Sequence, residues 1–123
     1  MSKKIILSIV AVFIGIQLLS LPFNDWNLKK TNYFGFNFHI VASNSMIPEF
    51  KVGDIAVTYK KDFNNLEVGD VITYLNDNKI IIHRIIDIEK DYIVTKGDNN
   101  SSADNVQINK QNYLGVLIYH TNF

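Results

Sequence analysis

Asp70-Val71-Ile72-Thr73-Tyr74-Leu75 and Lys79-Ile80-Ile81-Ile82-His83-Arg84-Ile85-Ile86-Asp87-Ile88 are two β-rich runs parted by the polar break Asn76-Asp77-Asn78. Together they predict a hairpin. Working outward, Val, Ile, Tyr, Phe and Thr recur in short runs bounded by Gly, Asp and Asn, which predicts further strands near 36–42, 55–60, 91–96 and 113–120. No segment after Leu21 carries a helical period. Residues 36–123 therefore read as an all-β domain built on a small mixed or antiparallel sheet. Val52-Gly53-Asp54-Ile55 and Val68-Gly69-Asp70-Val71 repeat one pattern, each leading into a strand. Gly opens a turn conformation closed to other residues and Asp can bond the backbone beyond it, so both read as turns. Two copies do not make a repeat architecture.

The chain has 123 residues, with 12 basic and 12 acidic side chains and no cysteine. Zero net charge supplies no field for nucleic acid. The missing thiols remove disulfides, Cys-based zinc sites and cysteine nucleophiles together. Ile5–Leu21 is about 17 residues without a charge and would rise about 25 Å as a helix, the short end of what crosses a bilayer core, with Pro22-Phe23 able to extend it. Lys3 and Lys4 ahead of it favour a cytoplasmic N-terminus, an orientation that Lys29 and Lys30 dilute. The residues after it offer no small-residue cleavage site of the kind a removable leader needs. The expected organisation is a cytoplasmic 1–4, one N-terminal transmembrane anchor over 5–23, a linker over 24–35 and the β domain. Trp26 would suit either an interfacial position or a place on the domain.

Three elements could carry chemistry. Ser43-Asn44-Ser45-Met46-Ile47-Pro48 follows the first strand, and a serine hydroxyl attacks only when a base removes its proton. The histidines are His39, His83 and His120. An imidazole titrates near 6.5 and can act as a base at neutral pH. Alternation places His83 with Ile81 and Ile85 on one face of an isoleucine-rich strand, where it needs partners for both ring nitrogens. A histidine in that setting is either a satisfied core residue or a base, and geometry decides between them. The polar segment Gly97-Asp98-Asn99-Asn100-Ser101-Ser102-Ala103-Asp104 holds two carboxylates, either of which could orient an imidazole.

In this order the boxes resemble signal peptidase I of the endoplasmic-reticulum type, a family of eukaryotes, archaea and some Gram-positive bacteria. The resemblance runs over nearly the whole chain: the apolar N-terminus, the serine box, Gly53-Asp54, His83-Arg84 and Thr95-Lys96-Gly97-Asp98-Asn99-Asn100 with Asp104. It implies a membrane-bound serine endopeptidase that removes signal peptides from secretory preproteins, with no metal or organic cofactor and a possible link to the translocation machinery. By the resemblance Ser45 is the nucleophile, His83 the general base and Asp104 the orienting carboxylate. Asp98 is then a supporting group, and Ser43 an oxyanion donor beside the Ser45 N–H. Relatives usually carry glycine where Asn44 stands; asparagine tolerates positive φ better than most residues, so a strained turn could survive. A lysine serves as base in the bacterial housekeeping subclass, but Lys79 lies about 13 Å along the strand from His83 and cannot share its site. The competing readings are a substrate-dedicated or catalytically silent relative and a non-enzymatic anchored β domain that binds a partner.

Overall fold

Runs of β-branched and aromatic residues become six strands: β1 Phe36–Ile40, β2 Ile55–Tyr59, β3 Val71–Asn76, β4 Lys79–Ile88, β5 Ile93–Lys96 and β6 Tyr113–His120. They follow one helix, α1, over Lys3–Ser20. The structure, a computed structural model, describes residues 2–20 and 35–123, except for the side chains of 15–20. The sheet order is β1-β2-β6-β3-β4-β5 and every strand pairing in it is antiparallel, which removes the mixed alternative. Among the described residues after α1, the one helical piece is a 3₁₀ turn at Phe63–Asn65.

The expected hairpin is formed by β3 and β4. Asp77 and Asn78 take φ of 49° and 63°, the pair of positive values that a two-residue turn between twisted strands requires and that Asp and Asn tolerate. Its register sets Ile72 opposite His83 and Tyr74 opposite Ile81. Both Val-Gly-Asp segments are turns, with Gly53 and Gly69 at φ of 92° and 100°. Both aspartates reach back, Asp54 accepting from the Lys51 N–H at 3.0 Å and Asp70 from the Glu67 N–H at 2.9 Å, and Asp54 also accepts from the Phe123 N–H beyond it at 3.0 Å.

The sheet buries side chains on both faces. One cluster joins Ile72, Tyr74, Ile85, Ile93, Ile108 and Tyr113; the other joins Val41, Met46, Phe50, Ala56 and Val71. Each large apolar side chain removed from water is worth about 1.5–3 kcal/mol, so the strands that bear the polar site are fixed from both sides. On β4, β5 pairs with Arg84–Ile88 and not with the first half of the strand. Among the described residues, the first half of β4 thus keeps a free edge and β1 is an edge strand.

The helix at the N-terminus is 18 residues long, about 27 Å. Val10 is buried, and the Phe13 ring lies 4.9 Å from that of Phe38 on β1. Among the described residues no helix is long and apolar enough to cross a membrane, so the transmembrane part of the expected fold is not shown. The end of the expected anchor at 21–23, Trp26 and the linker up to residue 34 lie outside the described residues.

Candidate active site

The pairing of β1 and β2 runs on past Ile40, with the Val41 N–H donating to the Asp54 carbonyl at 2.8 Å. The chain then leaves the sheet in a series of turns that carries Ser43 and Ser45. Met46, 1% exposed, anchors these turns by sinking into the second core cluster. A second loop grips them from the side. The Asn99 N–H donates to the Ser45 carbonyl at 2.8 Å, Asn99 Nδ2 to the Asn44 carbonyl at 3.2 Å, and the Asp98 N–H to Met46 Sδ at 3.4 Å. Asn44 needs no left-handed backbone, since among the described residues only Asp77 and Asn78 combine a side chain with positive φ. It faces the turn instead, its carbonyl also accepting from the Ile47 N–H at 3.3 Å.

His83, on β4, touches both of the other groups. Its Nε2 lies 3.1 Å from Ser45 Oγ and its Nδ1 2.6 Å from Asp104 Oδ2. Only a protonated Nδ1 can donate to a carboxylate, which leaves the neutral ring's Nε2 free to accept from the serine hydroxyl. Ser43 Oγ stands 3.1 Å from Ser45 Oγ. Asp104 is held beside β5 by its own N–H, which donates to the Thr95 carbonyl at 2.8 Å. The same Oδ2 accepts from Tyr74 OH at 2.8 Å and Thr95 Oγ1 at 2.6 Å. Burial and the hydrogen bond to Asp104 push the Tyr74 phenol far above its ordinary value, so it stays a donor.

The other candidates fall elsewhere. Asp98 takes a two-pronged bond from Arg84, with Nε at 2.9 Å and Nη2 at 2.8 Å, while Arg84 Nη1 donates to the Gly69 carbonyl at 2.8 Å. That pairing raises the Arg84 pKa further, against a smaller opposing effect of burial. Of the two carboxylates, Asp104 is the one that contacts His83. His39 lies 3.3 Å from Thr58 Oγ1, and burial lowers its pKa. His120 lies 3.4 Å from Glu49, and its ring centroid is 5.3 Å from that of Phe50 at a tilt of 53°. Lys79 sits at the hairpin turn opposite Asn76. Sequence reasoning missed Tyr74 and Thr95; hairpin register was the available signal, because Tyr74 is the alternation mate of Ile72, the residue opposite His83.

An open cleft of ≈ 830 Å³ runs between β1 and the free half of β4, with Ser45 and His83 in its wall and Phe38, Ile40, Ile80 and Ile82 among its apolar lining. A hydroxyl hydrogen-bonded to a neutral imidazole, itself bonded to a carboxylate, can be deprotonated as it attacks a carbonyl in such a cleft. Among the described residues no group of three or more His, Asp or Glu side chains is arranged to hold a metal ion.

Comparisons with known proteins point the same way. Residues 24–118 match the family described as Peptidase S24-like. The chain is 41% identical over 85 residues to signal peptidase I W of Bacillus subtilis, across 64% of this chain and 45% of that protein. It is 36% identical over 112 residues to the signal peptidase complex catalytic subunit SEC11 of Lodderomyces elongisporus, and 39% to that of Candida albicans. Those two alignments cover 80% of this chain and 67% of each relative. The chain thus spans less than half the length of the Bacillus relative and about two thirds of the SEC11 subunits. By the family match over most of its length and by these identities, the chain belongs to the Peptidase S24-like family and is a member of the signal peptidase I family of the endoplasmic-reticulum type.

Proposed function

We propose that the chain is a membrane-bound serine endopeptidase that removes N-terminal signal peptides from translocated secretory preproteins. The observation that carries this reading is the bridge made by His83, 3.1 Å from Ser45 Oγ on one side and 2.6 Å from Asp104 on the other. His83 Nε2 takes the Ser45 proton as Oγ attacks the carbonyl before the cleaved bond. Asp104 fixes the tautomer and stabilises the imidazolium that forms. The Ser43 hydroxyl and the Ser45 N–H receive the oxyanion. His83 then returns the proton to the leaving amine, releasing the mature chain, and activates a water that frees the signal peptide from Ser45. Asp98 supports the site at one remove, through Arg84.

The substrate docks as an extended strand in the cleft, where the free edges of β1 and of the first half of β4 offer backbone hydrogen bonds. Small apolar side chains at the first and third positions before the cut suit the shallow apolar lining. Residues 5–23 anchor the chain with residues 1–4 cytoplasmic, 24–35 act as the linker, and 36–123 form the extracytoplasmic peptidase domain. The exposed Ile5, Ile9 and Val12 of α1 support contact with lipid. The name of the SEC11 relatives, catalytic subunits of a signal peptidase complex, supports partner subunits for this chain.

The test is co-expression with a secretory preprotein, comparing the wild type with Ser45→Ala, His83→Ala, Asp104→Ala and Asp98→Ala. Ser45→Ala and His83→Ala should leave the precursor unprocessed, and Asp104→Ala should keep only a small residual rate. Normal processing by Ser45→Ala would end the proposal, and an active Asp104→Ala beside a dead Asp98→Ala would reassign the carboxylate.

A further inference from the structure

Three adjacent strands each send one side chain to a single oxygen. Tyr74 on β3, His83 on β4 and Thr95 on β5 all bond Asp104 Oδ2, at 2.8, 2.6 and 2.6 Å. The registers explain the convergence. Tyr74 is one alternation step from Ile72, which faces His83, and Thr95 faces Ile85, one alternation step beyond His83. The three side chains therefore share a face of the sheet. Tyr74 and Thr95 are 2% and 0% exposed, so neither hydroxyl has water as an alternative partner. A buried hydroxyl without an acceptor is costly. Asp104 Oδ2 is the acceptor that both reach at hydrogen-bond distance.

We infer that Tyr74 and Thr95 are positioning residues for the peptidase reaction: they hold Asp104 as a fixed carboxylate so that its Oδ2 aims at His83 Nδ1. The inference rests on the proposed function, since it assigns to these hydroxyls a role through Asp104 and His83. Two physical consequences follow. First, Asp104 lies outside the strands and its side chain would swing without two rigid donors on strand residues, so His83 would lose its orientation toward Ser45. Second, two neutral donors disperse the carboxylate charge. With one removed, Asp104 attracts the His83 proton more strongly, and the acid limb of the rate profile moves to higher pH.

The experiment uses the full chain in detergent and a fluorogenic peptide with alanine at the first and third positions before the cut. Tyr74→Phe and Thr95→Val remove one hydroxyl each while keeping most of the volume, and Thr95→Ser keeps the donor. Expected are a fall in kcat of about tenfold for each hydroxyl removed, with KM little changed. The acid limb of kcat/KM should also rise by roughly half a pH unit, and Thr95→Ser should restore both. In an Asp104→Ala background, Tyr74→Phe should cost nothing further, because the group through which it acts is gone. An unmoved acid limb in Tyr74→Phe, or the same loss from Tyr74→Phe with and without Asp104, would overturn the inference and leave the proposed function standing. A Ser45→Ala chain that still cleaves the peptide would overturn both.

Discussion

Replacing Gly97 with alanine tests how closely Ser45, the proposed nucleophile, is held. A Cβ added there would lie 2.6 Å from Asn100 Nδ2 and 2.8 Å from the Ser45 carbonyl oxygen. The asparagine is the end of a side chain and can turn away. The carbonyl is backbone, fixed by the Asn99 N–H at 2.8 Å and by the burial of Met46 next to it. Ordinary contact begins near 3.4 Å, so the two segments must part by about 0.6 Å. Productive geometry tolerates displacements of about 0.5 Å, and 1 Å can cost about a hundredfold in rate. The expected result is a fall in kcat/KM of roughly ten- to a hundredfold, carried mainly by kcat, with about 1–3 kcal/mol lost from stability by overpacking. The assay is peptide cleavage beside urea denaturation. Gly53→Ala is the matched control: its φ of 92° makes a side chain unfavourable, yet nothing lies within 4 Å of the added carbon. It should lose about 1 kcal/mol or more of stability and keep its kcat/KM. Gly97→Ala cleaving within twofold of wild type would refute the reasoning, as would equal activity losses in the two variants at equal stability.

Ser43→Ala should lower kcat by about a hundredfold with little effect on KM, the usual cost of one oxyanion donor, whereas Ser45→Ala should leave no turnover; equal residual rates in a single-turnover assay would refute the distinction. Arg84→Lys cannot reproduce the two-pronged bond to Asp98 and should lose about 1–2 kcal/mol in urea denaturation with a smaller effect on rate; an unchanged midpoint would show that the pair is dispensable. Burial raises the Asp54 pKa, but the Lys51 and Phe123 N–H groups, the Lys51 charge and Thr121 outweigh it and leave it lowered. Its stabilisation is therefore full above the ordinary carboxylate pKa of about 3.9 and lost as pH falls through the lower folded value. Asp54→Ala should narrow the stability gap between pH 7 and pH 3, and an unaltered gap would contradict the linkage.

Much of the sheet was legible because its signals are local. Alternation and a polar break suffice for β3, β4 and the turn between them, and the Val-Gly-Asp turns announce β2 and β3. Strand order was not legible, since β6 inserts between β2 and β3 through pairings that no local pattern encodes. In the site, residue chemistry alone left three histidines and two carboxylates open; the resemblance pointed to His83 and Asp104, and tertiary contact is what brings these two, rather than His39, His120 or Asp98, together with Ser45. The Asp98–Arg84 pair joins residues 14 apart. Asn44, in a place where relatives usually carry glycine, could have tolerated a left-handed backbone, yet the turn is built with Asn44 outside that region. The helix reads as an apolar run by composition, while its contact with Phe38 depends on where the intervening residues lead it.

The site divides its tasks between rigid and adjustable parts, and the division has a physical basis. His83 sits on a strand hydrogen-bonded to β3 and backed by buried Ile72 and Ile85, so its position is fixed by the fold. Ser45 lies on a turn outside any ladder, and a serine on a turn is placed only as well as its contacts place it. Those contacts come from one other loop, through Asn99 and Asp98, and from one buried side chain, Met46. Asp98 in turn is tied by Arg84 to β4, the strand that bears His83. The Ser45 loop is thus referenced to His83 through a chain of short contacts that begins one residue from it, at Arg84. Displacement at any link alters the Ser45–His83 distance without unfolding the sheet. Loss of rate should therefore precede loss of structure at Gly97, Asp98, Asn99 and Arg84, and the reverse order should hold for buried positions distant from the loop, such as Ile108.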